Sequence, residues 1–343
     1  MAHHSNAPSF ALDLFLLMGS LVDSYGRVVR DLRISVTPRC NYKCFYCNPL
    51  GLGHGDPLGT VSVRDVANVV EAAAGLGMDA VRFTGGEPLL RKELPEMIYH
   101  AKHVVGIPDV ALTTNASLLK RRLPELLDAG LDRVNISLDA VDPDVFRAAT
   151  KGGEIKQVWE GIDAVMAAGL HPVKINAVVI RGINDGELVK LAELTRDKPI
   201  HTRYIEYMHL NNANPGAYYE NFMPGSEIKA VVEKAFGELE PVPTDPSAPA
   251  RLFRVPGWQG AIGFINPVSE PFCGACSRMR LTSDGRLRPC LMTDREIDIR
   301  EALNAADPVP AIQEMFLVAA HRKVKSGITE PVERPRTMVA IGG

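Results

Sequence analysis

Residues Arg33 to Cys47 read RISVTPRCNYKCFYC, and the rest of the chain is arranged around this stretch. An apolar, β-branched run leads directly into three cysteines, Cys40, Cys44 and Cys47, spaced C-x3-C-x2-C. Thiolates are soft ligands that suit iron–sulfur clusters, zinc or copper(I), and three of them in one short loop can converge on one centre. The stretch therefore predicts a strand that ends in a metal-binding loop.

Three thiolates are one ligand short of a closed site. Structural zinc ions and electron-transfer clusters normally take four protein ligands, whereas a catalytic metal keeps one position open for a substrate or water. A four-iron cluster on these cysteines would leave one iron able to chelate a substrate. The alternatives are a structural zinc loop and cysteines buried as small apolar residues. The local sequence offers no fourth zinc ligand, however, and buried cysteines do not usually cluster at short fixed spacing.

A second triplet, Cys273, Cys276 and Cys290, accounts for the remaining cysteines of the chain. The intervening sequence Ser283-Asp284-Gly285-Arg286 is typical of a hairpin turn, which would carry Cys290 back toward the first two thiols. Zinc and iron–sulfur both remain open for a C-x2-C pair with a distant third cysteine. Two such triplets fit metal binding in a reducing compartment better than disulfides, so we expect a cytoplasmic protein.

The overall composition indicates a globular protein with a small ligand. Its 343 residues, 46% of them hydrophobic, can bury the core of one large α/β domain with an appendage or of two domains. A net charge of −3 argues against a broad nucleic-acid surface but leaves room for a local basic pocket. The apolar segment from Phe10 to Val22 is too short to cross a bilayer and contains Asp13, so we predict an N-terminal helix packed on the body.

Short β-type runs alternate with helical patterns from Arg33 to Tyr207. The strands predicted after the first one are Ala80–Thr84, Val110–Thr114, Arg133–Leu138, Val173–Val179 and Ile200–Tyr207. Strands separated by helices imply right-handed βαβ units and a parallel sheet, either open and doubly wound or closed as a barrel. The count of six strands favours a partial (incomplete) parallel β/α barrel.

Beyond Met208 the alternation weakens. The sequence predicts one helix over Ser226–Phe236 and a hairpin over Arg251–Phe264, with its turn near Trp258 and Gly260. We interpret this part as a smaller β-containing cap that carries the second triplet. The predicted division is an N-terminal helical extension over residues 1–26, the partial barrel over 27–210 and the C-terminal region over 211–343.

Candidate ligand contacts follow from where polar residues fall in the predicted sheet. Ligands of parallel α/β folds bind at the carboxyl ends of the strands, and glycines and polar residues recur there in segments 84–88, 113–115, 137–139 and 206–208. Arg82 and Lys174 lie inside strands, where a charged side chain is costly unless it faces a ligand. Both residue types bind phosphate well, so the pattern indicates an interior site for an anion.

The first cysteine motif, with Tyr46 before its last cysteine, resembles that of the radical S-adenosylmethionine (SAM) superfamily, in which the open iron binds the amine and carboxylate of SAM. Two further runs restrict the resemblance to one family within this superfamily. They are DLRISVT, which precedes the motif, and the C-terminal run C-x2-C-x-R-x-R-L-x-x-D-G-x-L-x-x-C-L. They are similar to the superfamily members that cyclise GTP in molybdenum cofactor biosynthesis. The resemblance extends from about Arg27 to the end of the chain.

The resemblance implies a lyase that converts GTP into 3′,8-cyclo-7,8-dihydroguanosine triphosphate, with a 5′-deoxyadenosyl radical from SAM abstracting the ribose 3′ hydrogen. It implies two 4Fe–4S clusters, one on each triplet, with the second in a GTP-binding C-terminal region. The SAM-binding positions it implies are Tyr46, Gly86, Ser137 and Met208. The GTP-binding positions it implies are Arg33, Arg82, Thr113, Lys174, Arg278 and Arg280. Considered alone, Ser137 and Met208 would be interpreted as core residues.

The C-terminal tail adds to the likeness, because in the family it reaches the active site. The residues expected to be catalytic are Arg278, Arg280, Gly342 and Gly343. A free Gly-Gly end would otherwise be interpreted as a frayed tail. The chain departs from the family pattern at Pro38, Asn48 and Ser277, which stand where acidic, methionine and asparagine residues are common.

The family also implies partners. They are a second copy of the chain in a homodimer, a low-potential electron donor and a downstream cyclic pyranopterin monophosphate synthase, with neither nucleic acid nor membrane among them. Two rival functions stay open. One is a radical SAM maturase that modifies peptides and carries an auxiliary cluster, although such domains generally use more than three cysteines. The other is a non-catalytic iron–sulfur electron carrier or zinc scaffold.

Overall fold

A computed structural model of the protein describes residues 19–48, 59–208, 210, 215–327, 336 and 338–342. The centre of the fold is a run of parallel strands that are neighbours both in the sequence and in the sheet. They are β1 Asp31–Ser35, β2 Ala80–Thr84, β3 Asp109–Thr114, β4 Arg133–Ser137, β5 Val173–Val179 and β6 Ile200–Glu206. The parallel α/β class and all six predicted strands are confirmed.

The C-terminal region extends the same sheet at both edges. Its strands are β7 Glu240–Val242, β8 Arg251–Arg254, β9 Ala261–Ile265, β10 Arg278–Leu281, β11 Arg286–Arg288 and β12 Ile297–Asp298. β9 pairs with β6 and β10 pairs with β1, both in parallel. Within the described residues the strand order is β12-β11-β10-β1-β2-β3-β4-β5-β6-β9-β8-β7, so the barrel is incomplete, as predicted.

Helices connect or follow the strands, and most of them cover the outer face of the sheet. They are α1 Val63–Gly75, α2 Leu94–Tyr99, α3 Leu119–Asp128, α4 Pro143–Thr150, α5 Ile155–Ala167, α6 Leu188–Glu193, α7 Pro215–Asn221, α8 Gly225–Phe236, α9 Arg300–Leu303, α10 Pro308–His321 and α11 Met338–Ile341. Right-handed crossovers between strands in sequential order place the connecting helices on one side. Leu32 and Ile34 of β1 are fully buried there, in one core with Val66 and Val69 of α1.

Local signals in the sequence set several of these boundaries. The Ser62 hydroxyl accepts a hydrogen bond from the Asp65 N–H at 3.1 Å, and the Asp65 carboxylate accepts one from the Ser62 N–H at 2.8 Å, which forms a capping box at the start of α1. The predicted hairpin between β10 and β11 also forms. Gly285 in its turn has a φ of +79°, which glycine adopts without strain.

The N-terminal extension differs from the prediction in the part that the structure describes. Residues 1–18 lie outside the described residues. Residues 19–26 form bends and a turn, and Val22 pairs with Val28 in an antiparallel bridge, so a helix over this part is wrong. The reason is that Gly19 and Gly26 adopt left-handed φ angles of +61° and +77°.

The domain boundary near residue 210 stays a prediction. In the described part of the chain, no helix combines the length and apolar character that crossing a membrane requires.

Candidate active site

The inner face of the sheet is polar because polar residues occupy alternate strand positions. Leu32 and Ile34 point outward into the helical core, so Asp31 and Arg33 point inward. In the sheet register Arg33 lies opposite Arg82 of β2. The inward residues that line cavities within this face include Asp31, Arg33, Arg82, Thr113, Lys174, Asn176, Arg203, Arg278 and Arg280. Most of the charged side chains in this lining are therefore basic.

Two adjoining cavities lie inside the sheet and share Arg33, Arg203 and Arg278. The first extends to the second cysteine triplet and also includes Thr113, Met208 and Arg280. The second extends toward the amino ends of the strands and includes Arg82 and Lys174. The structure thus brings together all six residues that were predicted to bind GTP.

The first cysteine loop follows β1 at the carboxyl edge of the sheet. Burial raises the pKa of Cys40 to about 11 and, with the Cys40 thiolate nearby, that of Cys47 to about 12. Burial also raises the pKa of Cys44, and Asp139, Cys47 and Cys40 add to the effect. The three thiols therefore influence one another electrostatically. A bound metal would supply the positive charge that such thiols need in order to ionise at neutral pH.

Gly86 holds this loop against the end of β2. Its N–H donates to the Thr37 carbonyl at 2.7 Å, and the Glu87 N–H donates to the Arg39 carbonyl at 2.7 Å. A Cβ atom on Gly86 would lie 2.3 Å from the Arg39 carbonyl oxygen, so only glycine fits. The Glu87 carboxylate in turn accepts a hydrogen bond from the Asn115 N–H at 2.7 Å, which links the loop to the end of β3.

Tyr46 links the same loop to the ends of β4 and β5. Its hydroxyl donates to Asp139 Oδ2 at 2.8 Å, and Asp139 Oδ1 accepts from the Val178 N–H at 2.9 Å. Burial raises the pKa of Asp139 to about 6. The positions predicted to bind SAM all lie at this carboxyl edge: Tyr46, Gly86, Ser137 and Met208.

Positive charge is concentrated deeper inside the sheet. Burial lowers the pKa of Arg33 well below its usual value, and the neighbouring Arg82 lowers it further. Burial likewise lowers the pKa of Lys174 to about 7, with repulsion from Arg133, Arg203 and Arg82 adding to the effect. Asp31 is a counter-charge, with its Oδ2 3.7 Å from Arg33 Nε. A bound anion would relieve this repulsion.

Several buried polar atoms of the inner face lack hydrogen-bond partners. Among the described residues, those with no hydrogen bond include Asp31 Oδ1, Arg33 Nε, Ser35 Oγ, Arg82 Nε, Asn176 Oδ1 and Arg203 Nε. A buried polar group without a partner costs about 1–3 kcal/mol. Such groups are rare in proteins, so a cluster of them on one face of the sheet indicates that a polar ligand completes the site.

The second cysteine triplet lies toward the opposite end of the strands. Cys276 precedes β10 and Cys290 follows the antiparallel β11, so both lie near the amino end of β10. Burial would raise the pKa of Cys276, but Arg278 and Lys323 lower it to about 6. The Arg278 guanidinium carbon also lies 4.8 Å from the centre of the Phe272 ring. Positive charges therefore lie close to this triplet.

The C-terminal tail reaches the inner face. Arg280 donates from Nη1 to the Gly342 carbonyl. Gly342 has a φ of +83°, and a Cβ atom on it would lie 2.8 Å from Ser35 Cβ, so the tail packs directly on β1. Burial lowers the pKa of Arg280 to about 10, with Arg278 contributing. Gly343 lies outside the described residues.

The structure adds inner-face residues that the sequence did not single out. Arg203 is buried in β6 and donates to Asn135 Oδ1 at 2.6 Å, and Asn176 is its register partner on β5. Burial lowers the pKa of Arg203 to about 9. The sequence signal for Arg203 is the one used for Lys174, a charged side chain inside a strand of a parallel sheet. Asn176 is a polar side chain two positions after Lys174 on the same strand.

The donor sets fit the groups predicted for them. Each triplet offers three free thiols, partly exposed, which suits a cluster with one open iron. Within the described residues, no three His, Cys, Asp or Glu side chains converge tightly enough to hold a single ion. In a four-iron cluster each thiolate binds a separate iron, so its sulfur atoms need not converge on one point.

Comparisons with known proteins agree with this site. The sequence profile of the Radical SAM superfamily matches residues 34–195, and that of Molybdenum Cofactor Synthesis C matches residues 200–327. The GTP 3′,8-cyclase of Alkaliphilus oremlandii is 41% identical over 323 residues, which cover 94% of this chain and 99% of the relative. That of Moorella thermoacetica is 41% identical over 327 residues, with the same coverage of both chains.

A solved structure has the same fold. The crystal structure of Streptococcus suis SuiB bound to S-adenosylmethionine superposes with a TM-score of 0.52 at 15% identity, covering 91% of this chain and 70% of SuiB. At this identity the likeness concerns the fold alone. The identity to the two cyclases extends over nearly the whole of each chain. This chain therefore belongs to the radical SAM superfamily and, within it, to the family of GTP 3′,8-cyclases.

Proposed function

We propose that this protein converts GTP into 3′,8-cyclo-7,8-dihydroguanosine triphosphate, the first step of molybdenum cofactor biosynthesis. The observation that carries the proposal is the basic interior between the two cysteine triplets. Its buried atoms without partners and its crowded cations call for a polyanionic ligand. The relatives supply the identity of that ligand, since they are named for the cyclisation of GTP.

The triphosphate would bind at the deeper cations. Arg33, Arg82 and Lys174 were predicted for this role, and Arg203 lies among them in the same cavity. Arginine can bind phosphate through two parallel hydrogen bonds, while lysine acts as a point charge. Charge-assisted bonds of this kind contribute about 1.5–3 kcal/mol each. Thr113, which lines the adjoining cavity, would contact the nucleoside part.

The guanine would lie toward the second triplet. Cys273, Cys276 and Cys290 would hold a second 4Fe–4S cluster, which would contact the base. Support comes from the three free thiols, which line the same cavity as Arg278 and Arg280. These two arginines and the tail residues Gly342 and Gly343 would hold the nucleotide so that C8 stays close to the ribose.

Family membership implies a 4Fe–4S cluster and SAM, and Cys40, Cys44 and Cys47 would hold that cluster. When bound, the cluster and SAM supply the one-electron chemistry that joins carbon 3′ of the ribose to C8 of the guanine. The chain's own contribution would be to position SAM through Tyr46, Gly86, Ser137 and Met208. In this role the Gly86 carbonyl would accept a hydrogen bond from the SAM amine. Enclosure by the sheet would keep water and oxygen from the reacting atoms.

The remaining expectations extend this proposal. We propose a cytoplasmic homodimer that receives electrons from a low-potential donor and passes its product to a cyclic pyranopterin monophosphate synthase. The division into an extension, a barrel over 27–210 and a C-terminal region over 211–343 belongs to the same proposal. The second triplet and the tail would make that C-terminal region the GTP-binding part.

Anaerobic reconstitution followed by metal counting tests the proposal. We expect iron for two clusters, SAM cleavage that responds to GTP, and the cyclic nucleotide as product. Changing Cys44 to Ser should abolish SAM cleavage, because the iron that holds SAM would be lost. Changing Cys290 to Ser should leave slow SAM cleavage under strong reduction but no cyclic product.

Three outcomes would contradict the proposal. Zinc in place of iron would indicate a scaffold protein. SAM cleavage that is indifferent to GTP but stimulated by a peptide would favour a maturase. Cyclic product at the wild-type rate from the Cys290→Ser variant would mean that the second triplet has no part in positioning the base.

A further inference from the structure

The segment Lys323–Gly327, which follows α10, crosses the second cysteine triplet. Lys323 is 4% exposed, and its ammonium donates to the Arg278 carbonyl and to the Pro289 carbonyl, both at 2.7 Å. Arg278 begins β10 two residues after Cys276, and Pro289 directly precedes Cys290. One buried ammonium therefore ties together the two halves of the hairpin that supplies two of the thiols.

A second buried cation fixes the same segment from the other side. Arg27 is 8% exposed and donates to the Val324 carbonyl at 2.7 Å, the Lys325 carbonyl at 3.0 Å and the Cys273 carbonyl at 2.8 Å. Its Nε pairs with Asp23, 5% exposed, at 2.5 Å. The guanidinium thus sets the distance between Cys273 and the segment.

These anchors bring the end of the segment onto two sulfur atoms. The Ser326 hydroxyl lies 3.7 Å from Cys273 Sγ, at hydrogen-bonding distance for sulfur. At Gly327 the approach is closer still, because a Cβ atom there would lie 2.4 Å from Cys290 Sγ. By contrast, Gly274, between Cys273 and Cys276, has nothing within 4 Å of the position of its missing Cβ.

We propose that Lys323–Gly327 is the closing wall of the second cluster site, that Gly327 makes room for the metal-bound rotamer of Cys290, and that Ser326 donates a hydrogen bond to the Cys273 sulfur. This inference rests on the proposed second cluster. A free Cys290 side chain can rotate away from an added methyl group at little cost. A sulfur fixed by iron cannot, so the glycine matters in the metal-loaded state.

The Ser326 hydrogen bond has an electrostatic consequence. Hydrogen bonds to the sulfur ligands are among the factors that set the reduction potential of an iron–sulfur cluster. A donor stabilises the added negative charge of the reduced state. Ser326 therefore makes the second cluster easier to reduce than the same cluster without it.

Changing Gly327 to Ala, with Gly274→Ala as the matched control, tests the wall. After anaerobic reconstitution we expect about eight irons per chain in the wild type and in G274A, but only about four in G327A. The circular dichroism of the metal-free G327A chain should match that of the metal-free wild type, with a thermal midpoint only slightly lower, because the added methyl group would also lie 3.0 Å from Met292 Cβ. Full iron in G327A, or a metal-free G327A chain that fails to fold, would overturn the proposed role of Gly327.

Changing Ser326 to Ala tests the hydrogen bond independently. In a Cys44→Ser background, which isolates the second cluster, we expect full loading and a midpoint potential below that of the Ser326 parent in an EPR-monitored titration. An unchanged potential would exclude a hydrogen bond to the cluster sulfur. If the wild-type protein itself binds only one cluster, the proposal of a second cluster is wrong. If the wild type binds two clusters and the Gly327 and Ser326 variants both behave like the wild type, only the proposed role of Lys323–Gly327 is wrong.

Discussion

Single residues of the inner face are arranged for a ligand rather than for the stability of the empty protein. Arg33, Arg82 and Lys174 repel one another in a buried space, and the nearby carboxylates of Asp31 and Asp109 do not offset the lowered pKa values of Arg33 and Lys174. The carboxylate of Asp31 is itself a buried group whose Oδ1 lacks a partner among the described residues. Repulsion between buried cations and buried polar atoms without hydrogen bonds both lower the free energy of unfolding. A bound triphosphate would offset both of these costs.

The pKa of Lys174 predicts how GTP binding depends on pH. In the free protein this pKa is lowered to about 7, so Lys174 is mostly neutral at pH 8 and above. A bound phosphate favours the ammonium form, so binding takes up a proton and the affinity falls as the pH rises above about 7. We expect a loss approaching tenfold per pH unit between pH 7.5 and 9, measured by calorimetry in buffers of different ionisation enthalpy.

Changing Lys174 to Arg provides the control for this pH effect. Arginine keeps its charge over the whole range, so the variant should bind GTP with a much flatter pH profile. If the wild type and the Lys174→Arg variant lose affinity in parallel, Lys174 does not contact the phosphates.

Arg203 predicts a second effect on GTP binding. Changing it to Met should weaken binding by roughly ten- to a hundredfold, because a charge-assisted hydrogen bond contributes about 1.5–3 kcal/mol. Arg147, exposed and paired with Glu154 at the surface, is the matched control, and its change to Met should leave the affinity unchanged. Equal affinities for GTP in the two variants, measured by calorimetry under anaerobic conditions, would remove Arg203 from the site.

The sequence predicted part of this residue-level site because charge inside a parallel strand is a physical anomaly. That argument found Arg82 and Lys174 without any structure. The same argument missed Arg203, although Arg203 is also a charged residue inside a strand. The inward residues Arg203 and Ile205 alternate with the outward residues Thr202 and Tyr204. Each face of β6 therefore carries both polar and apolar residues, and polarity does not distinguish the two faces. Asn135 and Asn176 are neutral, so their burial cost was not visible from the sequence.

At the scale of elements, the first cysteine loop depends on a contact between two strand ends. The sequence predicted a ligand-binding, glycine-containing segment after β2 and a metal-binding loop after β1. It did not predict that Gly86 would pack on the Arg39 carbonyl, because contacts between loops depend on strand register. Parallel pairing of β1 with β2, with Ser35 opposite Thr84, places the two loops side by side.

Changing Gly86 to Ala should therefore disable the first cluster. The added methyl group would lie 2.3 Å from the Arg39 carbonyl oxygen and 3.0 Å from the Pro38 carbonyl oxygen, and backbone atoms cannot turn aside as a side chain can. We expect loss of about half of the reconstituted iron and of SAM cleavage. The matched control is Gly186→Ala, because Gly186 has open space around its missing Cβ and the variant should keep its iron and SAM cleavage. A G86A enzyme with full iron and normal SAM cleavage would contradict this account.

At the scale of the whole molecule, strands of the C-terminal region complete the sheet that the first part begins. The sequence predicted a separate small cap after residue 210, and it predicted the hairpins correctly. It could not show that β9 joins β6 while β10 joins β1, because strand partners distant in the sequence leave no periodic signal. This pairing puts Arg278 opposite Asp31 and Arg280 opposite Arg33, and so brings the second cysteine triplet to the basic interior.

The tail closes this arrangement, and Gly342 offers a test of its role. Gly342 and Gly257 have φ angles of +83° and +82°, so a change to Ala strains the backbone equally at both, by about 1–2 kcal/mol. Their surroundings differ: a Cβ on Gly342 would lie 2.8 Å from Ser35 Cβ, whereas Gly257 has nothing within 4 Å. G342A should displace the tail and break the bond from Arg280 to the Gly342 carbonyl. We expect G342A to cleave SAM but to form little cyclic nucleotide, measured as the ratio of product to 5′-deoxyadenosine, while G257A keeps the wild-type ratio. If the two variants differ from the wild type by the same small amount, backbone strain explains the effect and the tail does not position the nucleotide.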